Sequence, residues 1–552
     1  MKELIFGLIG GTALLMYGVD KMGEGLEKAS GEMMKKILSV LTGNVFSALL
    51  VGTLLTVLVQ SSTAITVLTV GFVNAGLMKL PQAIGIIYGA NIGTTITAQL
   101  MAFSFKFKLT DIALPVLGIG FAISYFAKNK TLKNIGEALM GFGMMFLGLK
   151  ILNSGVPFMK ESADLRHFFE MYASNPFIAV FLGAAATALV HSSSATVGLV
   201  MVLGQAGLIN LETSVLIMLG DNIGTCITAQ LASLTANLHA RRTAWAHTLY
   251  NIIGVLVCLI FFPWFIKAII AITNYLQPGV AGDLGVQIAN SHTIFNVLSA
   301  VLFLPITKYY VKFLETVIRG KDKVHQGAMY LDRLLLNTPV AAFKASLSEI
   351  THGFEITMDM LKSTMLSIYK NDEKPLEAVK KNEELVNGLQ KDVTLYIVDI
   401  SKQPLNDSES IMVPAMISSI NNVERIGDHI MDIQQLITNS IHNNVEFSDI
   451  AVKELQELES LIVKMFDNTM KGLKVLDMNL AKHTEELEDE VDALIEQLQA
   501  NHLKRLNQGK CTIESGVIFL DIINHLERVA DHIYKISTLS TDELKTVMAT
   551  VS

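Results

Sequence analysis

The stretch from Gln60 to Leu100 constrains this chain most, because it occurs twice. It reads QSSTAITVLTVGFVNAGLMKLPQAIGIIYGANIGTTITAQL and returns from His191 to Leu231 as HSSSATVGLVMVLGQAGLINLETSVLIMLGDNIGTCITAQL, ungapped and offset by 131 residues throughout. Nearly half of the aligned positions are identical. The identities gather in two polar clusters, where substitution changes the chemistry, and thin out in the apolar filler, where Leu, Ile and Val interchange easily. That distribution points to a shared task rather than to shared packing alone.

Charged residues make up 17% of the 552 positions, against roughly 25% in soluble proteins. They are unevenly spread. Residues 1–320 carry 20 Lys and Arg against 14 Asp and Glu, a net of +6, whereas 321–552 carry 23 against 37, a net of −14. The acidic part argues against a nucleic-acid partner, whose phosphates would repel it. In the first part, apolar runs approach the ~20 residues that cross a bilayer. They lie near 4–20, 82–102, 112–127, 134–152, 213–233, 244–262 and 287–307. The first follows Lys2 and resembles a signal peptide, but no small-x-small cleavage site follows it, so it reads as a retained helix. Cys226, Cys258 and Cys511 show no framework spacing, which argues against disulfides.

The runs around the Ser-rich clusters, about 45–75 and 176–206, are broken in the middle by polar residues and flanked by Gly52, Gly71, Gly183 and Gly198. Backbone freed by such a break is tolerated at membrane depth only where it lines a cavity or is buried in protein. Both therefore read as re-entrant hairpins without a net crossing. Each repeat, about 4–127 and 134–262, then contributes three spans, so the second copy is inverted, and 287–307 is an extra span. With the N-terminus outside, the inside loops carry Lys21, Lys28, Lys35, Lys36, Lys128, Lys130, Lys133, Arg241, Arg242, Lys308, Lys312, Arg319, Lys321 and Lys323. The outside loops keep Lys106, Lys108, Lys160, Arg166 and Lys267. This positive-inside bias places the acidic C-terminal part in the cytoplasm. The duplication extends outward: Gly11 and Gly18 recur as Gly141 and Gly148, and Gly52 and Thr56 as Gly183 and Thr187. Inverted repeats with broken helices characterise secondary transporters, whose substrate sits near the midplane at the repeat interface.

A helix restarting at Gln60-Ser61-Ser62-Thr63, or at His191-Ser192-Ser193-Ser194, presents free backbone N–H groups and hydroxyl donors that suit an anion. Breaks at the two Asn-Ile-Gly-Thr segments would offer oxygens from Asn91, Thr94, Asn222 and Thr225, with Gly93 and Gly224 letting carbonyls turn inward. Thr95, Gln99, Asp221 and Gln230 are further candidates, and hard oxygen ligands suit a small cation such as sodium. No Arg or Lys stands in the cluster cores. Co-bound cations would therefore offset the desolvation of the anion and couple the two fluxes. Against this stands the plainer reading, in which Ser, Thr and Gly serve close helix contacts or back-bond to their own helices. His191 reads as a pH-sensitive ligand or a neutral donor, and Asp221 as a functional carboxylate or a half-helix cap. A smaller echo, His247-Thr248-Leu249-Tyr250-Asn251 and His292-Thr293-Ile294-Phe295-Asn296, suggests interhelical hydrogen bonding.

Beyond about Leu331 no run reaches membrane length, and helical periodicity takes over. Here Asn421–Ile430 (NNVERIGDHI) is answered by Asn524–Ile533 (NHLERVADHI), and EELVNGL at 383–389 by EDEVDAL at 488–494. Six helices are expected, near 340–370, 374–402, 408–441, 452–480, 482–508 and 512–545. Glu424 and Asp428, like Glu527 and Asp531, share one helix face, where two carboxylates repel unless a cation lies between them. They are candidate metal ligands, with Glu383, Glu488 and Asp492 contributing. The alternative is neutralisation by Arg425 and Arg528.

At this point the first 310 or so residues resemble the type II sodium-dependent phosphate cotransporters in their bacterial form. The resemblance rests on the paired Gln-Ser-Ser-Ser-like and Asn-Ile-Gly-Thr motifs, with departures at Thr63 and His191. It implies inorganic phosphate as substrate and sodium as driving ion. The remainder looks like a PhoU-type domain, whose Glu-x-x-x-Asp motifs imply a divalent-metal or iron cluster and regulation of phosphate uptake. Asn387, where the other half has Asp492, departs from that pattern. The fold expected is all-α: a polytopic transport domain over 1–310, a linker over 311–340, and a cytosolic domain of two three-helix bundles over 341–552. The function expected is sodium–phosphate symport by alternating access in the cytoplasmic membrane, with a homo-oligomer left open. The alternatives are a proton-coupled or other-oxyanion carrier using His191 and Asp221, and a membrane-anchored phosphate or metal sensor. No nucleophile–base constellation suggests an enzyme.

Overall fold

The computed structural model describes residues 2–30, 44–161, 167, 175–234, 236–277, 279, 282–320, 327–336, 338–403, 405–475 and 478–538. Among the expectations above, Lys35, Lys36, Arg166, Lys321, Lys323, part of the linker and residues 539–552 lie outside them. All regular structure among the described residues is helical. The chain divides into two compact units, Met1–Asn74 with Met78–Asp322, and Lys323–Val551 with Ala75–Leu77.

In the first unit, one copy comprises α1 (Lys2–Ala29), the hairpin α2 (Val45–Val59) and α3 (Ser62–Asn74), α4 (Leu80–Lys106) and α5 (Ala113–Phe126). The other comprises α6 (Lys130–Ser154), a short α7 (Val156–Glu161), the hairpin α8 (Pro176–Val190) and α9 (Ser193–Gln205), α10 (Leu211–Gly224), α11 (Ile227–Ala232) and α12 (Leu238–Ile260). Then follow α13 (Phe262–Leu276), α14 (Leu284–Phe303) and α15 (Thr307–Val317).

Glycines fix this arrangement, because removing a side chain lets one backbone approach another. A Cβ on Gly89 would overlap the Leu49 carbonyl oxygen, and one on Gly220 the Val180 carbonyl oxygen, 131 residues on. Gly52 against Ile86 and Gly183 against Ile217 repeat the pattern from the other side. So α2 is welded to α4, and α8 to α10, by the same contact. The copies then meet along α1 and α6, where Gly18 faces Gly141 and Gly11 faces Gly148. Because Gly11 corresponds to Gly141 and Gly18 to Gly148, the contact is reciprocal, as a two-fold relation between antiparallel helices requires.

The core around this seam buries Leu15, Met101, Met145, Phe146, Leu149 and Met201 completely. Meanwhile Phe6, Phe126, Phe181, Leu189, Trp264 and Tyr275 stand outward and exposed, the reverse of a water-facing surface. Among the described residues, four helical segments are long and apolar enough to cross a membrane: Lys130–Glu161, Leu211–Ala232, Leu238–Ile260 and Leu284–Phe303. The α1 and α4 helices are long enough but carry charged residues or the polar cluster.

Three elements differ from expectation. The stretch Asn91–Thr95 does not break its helix, and α4 runs through it unbroken. Thr94 and Thr95 donate back to the carbonyls of Ala90 and Ile92 at 3.0 and 2.7 Å, which satisfies their hydroxyls inside the helix. Only the second copy interrupts, for the two residues between α10 and α11. In addition, α13 and α15 are helices where the charges suggested a loop and a linker. Pro263 at the start of α13 splits one continuous apolar run, and Tyr310 of α15 donates to the Ala246 carbonyl at 2.7 Å.

The second unit contains α16 (Pro339–Lys370), α17 (Leu376–Ser401), α18 (Asp407–His442), α19 (Asp449–Val475), α20 (Met478–Asn507) and α21 (Ile513–Ser537). Each amphipathic helix buries one stripe, such as Val423, Ile426, Ile430, Ile433 and Ile437 on α18. The buried Glu349 accepts from the Met329 and Tyr330 amides at 2.7 and 2.6 Å, and the half-buried Glu454 forms an ion pair with Arg505 at 2.7 Å.

Gly220→Ala gains about 1 kcal/mol of helix propensity, yet the overlap with Val180 should dominate and lower stability by roughly 1–3 kcal/mol. Gly118→Ala in α5, where nothing lies within 4 Å, should be neutral or stabilising. Thermal unfolding of the detergent-solubilised protein distinguishes them, and equal midpoints would disprove the weld.

Candidate functional site

Both hairpins turn in the same way. Gln60 ends α2 with φ 56° and His191 ends α8 with φ 55°, left-handed conformations that non-glycine residues rarely adopt. Their amides donate to the carbonyls of Thr56 and Thr187. Ser61 and Ser192 then act as helix caps, their hydroxyls accepting from the Ala64 and Ala195 amides at 3.2 and 3.3 Å. Among the described residues, the first-turn amides of Ser62, Thr63, Ser193 and Ser194 have no protein acceptor. Ser62 is buried, Ser61, Thr63 and Ser192–Ser194 half-buried, and His191 exposed.

The glutamine at the first tip is occupied. Gln60 Nε2 donates to the Val57 carbonyl at 2.6 Å, and its Oε1 accepts from Thr97 of α4 at 2.8 Å. At the second tip a hydroxyl chain replaces it. The Thr196 and Thr187 hydroxyls share a hydrogen bond of 2.8 Å, and Thr187 is hydrogen-bonded to Asp221 Oδ1 at 2.5 Å. Asp221 is fully buried, and its Oδ2 has no partner among the described residues. The same holds for Asn91 Nδ2 and Thr56 Oγ1.

Asn222, Thr225 and Thr228 bond back to the carbonyls of Met218, Asp221 and Thr225. The glycines of these segments pack instead of exposing carbonyls: a Cβ on Gly93 would meet Thr56, and one on Gly224 would meet Thr187. Gln99 and Gln230, equivalent across the duplication, face outward from the tips. Gln99 donates to Thr293 at 2.9 Å and Asn290 at 3.1 Å, and Gln230 to Thr248 at 2.7 Å. The echo on α12 and α14 is thereby explained, because each threonine receives the glutamine of one copy. Pairing the two duplications in the sequence would have found it.

The copies also cross over. The second arm of one hairpin, α9, packs on α4 of the other copy, with Gly198 against Met101, and α11 packs on α3. Both Ser-rich tips and both Asn-Ile-Gly-Thr segments thus belong to one packed body.

In the second unit the carboxylates gather as two groups. Burial and then Asp428 hold Glu424 above the usual carboxylate range, with Glu383 adding to the effect. Burial and then Asp492 raise Glu488 and Glu527, with Asp531 contributing to both. Glu383 accepts from Asn387 at 2.5 Å, and Arg425 stands 4.0 Å from Glu424 at a solvent-exposed position. So arginine neutralises these carboxylates only weakly.

An apolar-faced helical body with an internal duplication and polar breaks defines a membrane protein of the carrier type. The chain belongs to the Na+/Pi-cotransporter family, whose model matches residues 14–154 and 159–274, and it carries a PhoU domain matched over 350–437 and 455–539. It is 31% identical over 320 residues to "Uncharacterized protein YqeW" of Bacillus subtilis, covering 57% of this chain and 99% of that protein. It is 24% identical over 526 residues to "Putative inorganic phosphate export protein YjbB" of Salmonella typhimurium, covering 95% and 94%. It is 35% identical over 106 residues to "Sodium-dependent phosphate transport protein 2A" of Rattus norvegicus, covering 19% and 17%.

The raised carboxylates carry a stability consequence. A folded-state pKa above the unfolded value of about 4 stabilises at low pH, and that contribution is lost as pH rises through the raised value. Without metal, the second unit of the full-length protein should unfold at lower temperature as pH rises from the mid-4 range toward neutrality. Glu527→Gln should flatten that slope and raise the neutral-pH midpoint. A slope unchanged by the substitution would show that the carboxylates do not repel.

Proposed function

We propose that this chain is a sodium-coupled carrier of inorganic phosphate in the cytoplasmic membrane, with the PhoU domain as a cytosolic regulator. The observation that carries this reading is the pair of matching left-handed breaks, each followed by unoccupied amides and hydroxyls. A phosphate oxygen accepts from every donor of this kind: the amides of Ser62, Thr63, Ser193 and Ser194 and the hydroxyls of Ser61 and Ser192, which still have a proton to give. Asn91, Asp221 and Asn222 supply oxygens for sodium, and Thr94, Thr95 and Thr225 the hydroxyls beside them. Gln60 orients the first tip through Thr97, while Gln99 and Gln230 tie the copies to α14 and α12.

With no Arg or Lys in the clusters, bound sodium balances the phosphate charge, so neither ion is stable there alone. The inverted copies rock around α1 and α6, and the hairpin tips stay with the substrate. In the PhoU domain, Glu424, Asp428 and Glu383 form one metal site and Glu488, Asp492, Glu527 and Asp531 the other, with cation binding relieving the repulsion.

A second reading concerns direction. The Salmonella relative, matched over 94% of its length, is named for phosphate export, which favours net outward movement in cells.

Labelled-phosphate flux in proteoliposomes, with the sodium gradient imposed in either direction, tests coupling and direction together. A charge-assisted hydrogen bond contributes about 1.5–3 kcal/mol. Ser61→Ala combined with Ser192→Ala should therefore reduce flux at least ~10-fold while leaving the protein folded. Flux indifferent to sodium would remove the coupling, and full activity in the double variant would remove the site.

A further inference from the structure

The two halves of the C-terminal unit meet along α18 and α21, and this seam carries donors that neither Glu-x-x-x-Asp motif uses. His429 of α18 and His525 of α21 bring their Nδ1 atoms to 3.2 Å, and Asp432 Oδ2 lies 3.6 Å from His525 Nδ1. One donor atom from each of the three lies within 4.8 Å of the others. We propose that His429, His525 and Asp432 form a site for a borderline divalent metal such as zinc, separate from the carboxylate groups.

Two nitrogens bound tetrahedrally at 2.0–2.1 Å stand about 3.3 Å apart, which the two imidazoles already match. Asp432 is half exposed, at 55% of its side chain, so water has access to a fourth position. Nitrogen donors select zinc-like ions over the magnesium or calcium that an all-carboxylate site would take.

The plainer account is a neutral histidine pair packed at a seam, and the repeat itself argues against it. An offset of 103 residues relates the halves, so His429 corresponds to His532, His525 to Asn422, and Asp432 to Lys535. The mirror contact exists: His532 Nδ1 lies 2.8 Å from Asn422 Oδ1. Packing is therefore served by an Asn–His pair. The other side replaces Asn by His and Lys by Asp, and both changes add a metal donor or remove a competing cation. Because the ligands come from both halves, metal would clamp them together. The inference does not depend on the chain carrying phosphate.

Cobalt(II) titration of the purified full-length protein tests it, since four-coordinate cobalt gives intense visible bands. One such cobalt per chain is expected, and it should be displaced by zinc. His525→Asn copies the residue of the mirror position, so it should keep the thermal midpoint of the metal-free protein while weakening cobalt binding by roughly 100-fold or more. Glu424→Ala with Glu527→Ala should leave the spectrum intact. Adding Asn422→His and Lys535→Asp to the wild type should create a second cobalt site. Absence of the four-coordinate spectrum in the wild type, or its survival in His525→Asn, overturns the proposal.

Discussion

Backbone-to-backbone contact at glycine holds the membrane unit in one arrangement. Within lipid there is no hydrophobic gain from bringing helices together, so association depends on close packing. Gly52 and Gly89 in one copy, and Gly183 and Gly220 in the other, let the hairpin arms settle against carbonyls of their partner helices. Gly11, Gly18, Gly141 and Gly148 do the same between copies. Since the polar breaks lie at the ends of those welded arms, the glycines position the Ser-rich tips before any side chain of the tips contributes. A left-handed residue at each tip, Gln60 and His191, is then held by the structure around it rather than by its own preference.

The interior polarity follows from that geometry. Each tip also carries polar side chains that need partners, and the copies supply them differently: Gln60 is anchored to Thr97 in the first, whereas Thr196, Thr187 and Asp221 form a chain in the second. Asp221 takes the place of Ala90, so one copy brings a carboxylate that the other lacks. On the function proposed above, a single buried carboxylate would give a cation a preferred side, which a symmetric cradle would not.

Much of this was legible in the sequence for a physical reason. The duplication, the hairpin breaks and the six C-terminal helices are written in period and polarity, and helix limits such as Leu376–Ser401 lie within two residues of the pattern. The first Asn-Ile-Gly-Thr segment, Asn91–Thr94, misled because Asn, Gly and Thr normally signal a break. Inside α4 the threonines satisfy themselves against Ala90 and Ile92, and Gly93 is needed for contact with Thr56. Composition could not separate a glycine that frees a carbonyl from one that admits a neighbour. The α13 helix was hidden because the apolar run continues across its boundary and only Pro263 marks the division. The meeting of His429 with His525 depends on how two halves dock, a relation that lies 96 residues apart and leaves no periodic trace.

Both units are therefore built on one plan, an internal duplication whose copies meet reciprocally, and both depart from symmetry at few positions. Where duplicated residues serve packing, the two copies can drift only in ways that preserve volume, as Leu, Ile and Val do throughout the filler of the first unit. A departure that changes charge or ligand type at a reciprocal contact cannot be explained by volume. Asp221 opposite Ala90, and His525 with Asp432 opposite Asn422 with Lys535, are departures of that second kind. Each sits where the copies or their arms touch, so each bears on the relation between halves.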